Sequence, residues 1–92
     1  MIIMKNKKLT IGISLRVVGN TDYNEKRDAL SQDWSKFFEK LEINPLLIPN
    51  TIKNVSEFLE DMQVQGLFLS GGDNVGDNQD RDITEQKIID YC

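Results

Sequence analysis

Gln65-Gly66-Leu67-Phe68-Leu69-Ser70-Gly71-Gly72-Asp73 is the stretch that sets the architecture of the whole chain. Three apolar residues, Leu67 to Leu69, stand between a single glycine and a Gly-Gly pair. A short apolar run bounded in this way predicts a buried strand that stops in a loop of bare backbone. Adjacent glycines leave main-chain N–H groups uncovered and admit positive φ. Amides exposed at the C-terminal end of a parallel strand are where an α/β sheet binds ligand or stabilises an oxyanion. Gly71 and Gly72 are therefore the first candidate site residues.

Upstream, Leu9 to Leu15 is dense in β-branched and apolar residues and predicts the first strand, with Arg16 at its C-terminal end. A polar loop through Asn24 follows. From Glu25 to Glu42 the period becomes helical: Leu30, Trp34, Phe37, Phe38 and Leu41 share one face, and Lys26, Lys36, Glu39 and Lys40 the other. Pro45 to Pro49 is a continuous apolar run closed by a proline, which predicts a second buried strand. Asn54 or Ser56 caps a short helix with Val55, Phe58, Leu59 and Met62 on its apolar face. Beyond the Gly-Gly loop, Thr84 begins another amphipathic helix.

Strands alternating with helices imply a parallel sheet with right-handed crossovers and helices on both faces. Three strands are half of a doubly wound sheet, and they leave the third as an apolar edge, which proteins normally avoid. The expectation is that residues 1–92 are the N-terminal part of a single truncated domain.

The 92 residues are 39% hydrophobic and 28% charged, with a net charge of −4. An acidic balance without basic–aromatic clusters argues against nucleic acid or an anionic membrane surface as partner. Met1 to Lys8 lacks the long apolar core of a signal peptide, and Met4 is an alternative start. One cysteine allows no internal disulfide and fits a reducing cytoplasm. The chain has no histidine, which excludes a Ser-His-Asp or Cys-His set assembled from these residues alone.

The glycine spacing fits neither G-x-G-x-x-G nor a P-loop. Asp73, Asp77, Asp80, Asp82 and Glu85 fail the EF-hand pattern, because Val75 or Arg81 falls on a ligand position. No metal or organic cofactor is expected. Asp82 reads as a helix N-cap with Glu85 as its box partner. Cys92 shares an apolar helical face with Ile88 and Ile89 and reads as a packing residue rather than a nucleophile. Trp34 reads as core. Arg16 lies on the same rim as the glycine loop, either clamping a carboxylate or phosphate or simply solvated. Arg27, beside Asp28, bonds locally or to the loop.

Taken in order, Ile11-Gly12-Ile13-Ser14 with Arg16, Arg27-Asp28-Ala29-Leu30 through Asp33-Trp34, Pro45 to Pro49, Gly66 to Asp73, and Arg81-Asp82 with Glu85 form a recurring set. It resembles the N-terminal half of the class I glutamine amidotransferase-like proteins, most nearly the gamma-glutamyl-gamma-aminobutyrate hydrolase type. The Arg-Asp…Asp-Trp segment is similar to that of the gamma-glutamyl-CDP-amidate hydrolases of bacterial capsule synthesis. The resemblance implies a flavodoxin-like sheet and a cysteine thiolate, activated by a His-Glu pair without metal, that hydrolyses a gamma-glutamyl amide. Gly71 and Gly72 match the family's oxyanion loop, and Arg16 and Arg27 become candidate substrate-binding residues for a small gamma-glutamyl compound. The family's Gly-x-Cys-x-Gly elbow is not in this sequence, so the 92 residues alone are expected to be inactive. The alternative is a catalytically dead α/β module that pairs with a partner, or with its own copy, through the exposed edge strand.

Overall fold

The computed structural model describes residues 8–20, 22, 24–70 and 79–92. The elements run β1 (Thr10–Ser14), β2 (Arg16–Asn20), β3 (Glu25–Ala29), α1 (Gln32–Lys40), β4 (Asn44–Ile48), α2 (Val55–Asp61), β5 (Gly66–Phe68) and α3 (Gln79–Tyr91). β1 is the centre of a parallel sheet in the order β4-β1-β5, while β2 and β3 form a separate antiparallel ribbon. Among the parallel strands the order is second, first, third, as in the first half of a flavodoxin-like sheet. The α/β class and the parallel sheet are those the apolar runs predicted.

Register and pleat decide what each face buries. Gly12 pairs with Leu46 and Leu67, and Ser14 pairs with Ile48. This face carries the core formed by Ile48, Val55, Leu59 and Ile88, with Val64 and Leu67 packed against it, beneath α2 and α3. A Cβ on Gly12 would stand 2.8 Å from Leu67 Cδ2 and 3.0 Å from Ile48 Cδ1. Glycine there lets the two neighbouring side chains close over β1. By alternation Ile11, Ile13 and Phe68 point to the opposite face. There α1 lies on the sheet through Phe38, fully buried, with ring centroids 5.6 Å from Phe68 and 5.9 Å from Trp34. Each such buried apolar side chain contributes about 1.5–3 kcal/mol.

Both helix-to-strand exits use the same device. After α1, Glu42 N–H donates to Glu39 O and Ile43 N–H to Phe38 O. After α2, Gln63 N–H donates to Glu60 O and Val64 N–H to Leu59 O. These are Schellman closures, and they place Glu42 (φ 57) and Gln63 (φ 52) in the left-handed region without being glycine.

The β2–β3 ribbon corrects the expected helix from Glu25. Glu25 to Ala29 are extended and pair with Asn20 to Arg16. The helix begins only after Ser31, whose Oγ accepts from the Asp33 N–H at 3.2 Å. Leu30 precedes that cap and is not helical. Its match to the helical period is a coincidence of spacing, overridden because Asp28 is held elsewhere, as described below. Of the predicted apolar face Phe38 is buried, but Phe37 and Leu41 are 45% and 49% exposed. Trp34 is half-buried rather than core. β4 is not buried on both faces: Leu47 is 45% exposed because β4 is an edge. Among the described residues β5 is the other edge, as expected.

α3 starts at Gln79, so Asp82 lies inside the helix and does not cap it. Glu85 makes no capping box; its carboxylate turns toward the sheet. Cys92 follows the last helical residue and is exposed, not packed.

Candidate functional site

The connections leaving β1 and its neighbours diverge at one point of this sheet, between β1 and β5. Open α/β sheets bind ligands at the carboxyl ends of the strands at such a switch point. Four side chains converge there. Ser14, the last residue of β1, is fully buried. Its Oγ accepts the Ser70 N–H at 2.9 Å and donates to Glu85 Oε2 at 3.0 Å. The other carboxylate oxygen, Oε1, lies 3.2 Å from Arg81 Nε one helical turn back. That contact is an ion pair by distance, with the N–H direction outside hydrogen-bond geometry. Arg81 Nη2 then reaches Ser70 Oγ at 3.5 Å. The circuit Ser70–Ser14–Glu85–Arg81–Ser70 is closed, and Arg81 is only 2% exposed.

The helical spacing explains why α3 supplies both charged members. Residues i and i+4 share a face, so Arg81 and Glu85 project together, with Ile88 continuing the same buried side. The ion pair brings no net charge into the site, and Ser14 Oγ donates a hydrogen bond to its carboxylate.

Beside the circuit, Asn50 joins three segments. Its Nδ2 donates to Leu15 O at 3.1 Å and to Asp28 Oδ1 at 2.9 Å, and its backbone N–H donates to Asp28 Oδ2 at 2.9 Å. Its carbonyl accepts from Thr84 Oγ1 at 3.1 Å. Asp28 therefore holds the β2–β3 ribbon to the crossover after β4, which is why the chain around it is extended. Lys26 adds an exposed contact to Asp80 at 3.7 Å. Two oxygens face Nδ2, which fixes the amide orientation. Asn50 Oδ1 is buried and has no hydrogen-bond partner among the described residues.

Of the sequence-predicted site residues, Gly71 and Gly72 lie outside the described residues, as do Asp73 and Asp77. Arg16 and Arg27 both fall on the ribbon, not on the circuit. Pairing of Arg16 with Ala29 and of Val18 with Arg27 puts the two arginines on one face, opposite the face of Asp28. Both are exposed, and Arg27 Nε lies 3.3 Å from Glu25 Oε1. Among the described residues no group of three His, Cys, Asp or Glu side chains is placed to hold a metal ion. No described helix is long and apolar enough to cross a membrane.

Sequence reasoning did not single out Ser14, Ser70 or Asn50. Their signal was position: a polar residue ending an apolar strand, or following Pro49, at the carboxyl edge. What the arrangement does chemically is hold backbone. Ser14 is too deeply buried to meet a substrate, and its proton is engaged by Glu85.

No family model matches the chain, and no solved structure matches it. Over 89 residues it is 30% identical to a Campylobacter jejuni protein named gamma-glutamyl-CDP-amidate hydrolase. The match takes in 89% of this chain and 44% of that protein, so the chain spans less than half the length of the curated relative. The chain is thus a distant and partial relative of a protein named as a gamma-glutamyl hydrolase.

Proposed function

We propose that the chain is the N-terminal part of a cysteine-dependent hydrolase, glutamine amidotransferase-like, that cleaves a gamma-glutamyl amide bond and releases glutamate. The observation that carries this reading is the 30% identity over 89 residues to a protein so named. The half-flavodoxin strand order supports it, with a built polar circuit at the edge where such sheets take ligand.

In this reading Gly71 and Gly72 offer backbone amides to the oxyanion, each donor worth about 2.7–4 kcal/mol of transition-state stabilisation. Arg16 and Arg27, on one face of the ribbon, meet anionic groups of a small gamma-glutamyl compound. The thiolate and its His-Glu pair come from residues beyond Cys92, since the chain has no histidine. The protein works in the reducing cytoplasm, where the thiol stays free.

The test is glutamate release by the full gene product from gamma-glutamyl-CDP-amidate, gamma-glutamyl-gamma-aminobutyrate and glutamine. Release from at least one, abolished by thiol alkylation and absent for residues 1–92 alone, is the expected result. A gene product with an intact mass of 10.6 kDa, or one that carries the cysteine elbow yet releases nothing, overturns it.

A second reading, a non-catalytic module that adds a partner strand to β5, draws on the apolar groove lined by Trp34, Phe37 and Phe68 beside that edge. It predicts the 10.6 kDa mass together with a stable complex in light scattering.

A further inference from the structure

We infer that Asp28 and Asn50 are positioning residues, whose pairing beside the stem of the β2–β3 ribbon sets the direction in which the Arg16 and Arg27 face looks. The catalytic part of this inference rests on the proposed hydrolase, in which those arginines meet the substrate; the geometric part does not.

A single residue, Leu15, separates β1 from β2, so the ribbon leaves the parallel sheet at its carboxyl edge. None of the ribbon's described side chains is buried, and two strands without a core do not fix their own direction. A polar grip takes the place of that core. Asn50 Nδ2 donates to Leu15 O, at the outgoing stem, at 3.1 Å and to Asp28 Oδ1, on the returning strand, at 2.9 Å. The Asn50 N–H donates to the second carboxylate oxygen of Asp28 at 2.9 Å. Asn50 is itself well fixed: it is buried, it follows β4, and its carbonyl accepts from Thr84 Oγ1 of α3 at 3.1 Å. The ribbon is thereby referenced to β1, β4 and α3 through one residue.

The grip engages only one face. Val17 pairs with Asp28, whereas Arg16 opposite Ala29 and Arg27 opposite Val18 lie on the other side. Holding the Asp28 face therefore orients the arginine face. Asparagine suits the task because its amide has two N–H groups, one for Leu15 O and one for Asp28, which neither a carboxylate nor an apolar side chain supplies. A residue that only stabilises the fold lowers the Tm and leaves the direction of the folded ribbon as it was. A positioning residue changes that direction in molecules that stay folded.

The test is the set of N–H residual dipolar couplings measured by NMR on the full chain. Val17, Val18, Arg27 and Asp28 report the ribbon, and Ile11, Ile13, Leu46 and Leu47 the sheet. In the unsubstituted protein both sets are expected to fit one alignment. In Asp28→Ala and Asn50→Ala the sheet set is expected to keep its fit while the ribbon set leaves it, with couplings about twofold smaller. Ribbon couplings that still fit the sheet's alignment in Asp28→Ala overturn the inference, as does a ribbon already out of alignment in the unsubstituted protein. Asp28 is exposed, so Asp28→Ala carries the measurement should Asn50→Ala fail to fold. In glutamate release by the full gene product, Asp28→Ala is expected to raise KM about tenfold with kcat within about twofold. Added to Arg27→Ala it is expected to raise KM little further, because the two act through one face. Unaltered KM in Asp28→Ala, or effects of the two substitutions that multiply, overturns the catalytic part. A gene product that releases no glutamate before any substitution refutes the hydrolase reading instead and leaves the coupling result standing.

Discussion

Asp28→Ala is the substitution whose effect the structure specifies most fully. The Asp28 carboxylate accepts two bonds from Asn50, each 2.9 Å long, and Asn50 is 8% exposed. Hydrogen bonds to a charged group contribute about 1.5–3 kcal/mol each. Asp28 itself is exposed and partly solvated, so the lower figure applies and the pair contributes about 3 kcal/mol. After the substitution Asn50 Nδ2 keeps Leu15 O, but its backbone N–H is left without an acceptor. The β2–β3 ribbon loses its main tie to the body, and a two-stranded ribbon alone is marginal in water. Stability per residue suggests a total of about 5–14 kcal/mol for a chain of this size, so the loss is a large fraction of it. At an unfolding entropy of about 2.1 cal/mol/K per residue, 3 kcal/mol corresponds to a Tm lower by about 15 °C. Thermal melts followed by far-UV circular dichroism read this directly, and Asp28→Asn, which keeps one acceptor oxygen, is expected to fall about halfway. A drop below about 4 °C for Asp28→Ala, under 1 kcal/mol, refutes the account of Asn50 as the ribbon's anchor.

Other consequences follow from particular contacts. Gly12→Ala puts a Cβ 2.8 Å from Leu67 Cδ2 and 3.3 Å from Val64 Cγ2, and overpacking of this kind is expected to cost about 1–3 kcal/mol in urea melts. Glu42→Gly and Gln63→Gly relieve left-handed backbone at the two helix exits and are each expected to stabilise by up to about 1 kcal/mol in the same assay, a gain and not a loss. The Tyr91 hydroxyl donates to Glu60 Oε1 at 3.2 Å, and desolvation, followed by that carboxylate, raises its pKa above the ordinary 10.0. The folded state then holds the phenolic proton more tightly than the unfolded one. This contribution is complete below pH 10.0 and is lost as pH rises through the higher folded value. Urea melts on either side of that pH should show the decline, and Tyr91→Phe should remove it.

The parallel strands could be read because each is a short apolar run with a clear boundary, Arg16 after the first, Pro49 after the second and the Gly-Gly pair after the third. The ribbon could not. Glu25-Lys26-Arg27-Asp28-Ala29 has four charged residues and no β-branched one, and nothing local favours a strand. Its conformation is imposed from a distance by β2 and by Asn50, while Leu30 happens to extend the apolar spacing of α1 backwards. Ser31 was the available corrective, a cap residue just ahead of Trp34. At the site, Arg16 and Arg27 were visible as charges at a predicted rim, and the structure gives them a common face on the ribbon. Ser14, Ser70 and Asn50 were not visible, because a serine or asparagine has no distinguishing local pattern. What marks them is the pairing that the register of β1, β4 and β5 creates.

The strand order also bears on how the chain is made. β1 is synthesised first yet lies in the middle, so the apolar pair Ile11 and Ile13 has no sheet partner until α1 and β4 have followed. The ribbon pairs segments that are neighbours in sequence, but it stays marginal until Asn50, which follows β4, is there to hold Asp28. Translation adds about 5–20 residues per second. The bonds from Ser14 to Ser70 and to Glu85 join residues 56 and 71 apart and must wait for nearly the whole chain. For several seconds, on that translation rate, β1 is a bare parallel template. Among the described elements, the carboxyl edge of the sheet takes its shape only once α3 has been made.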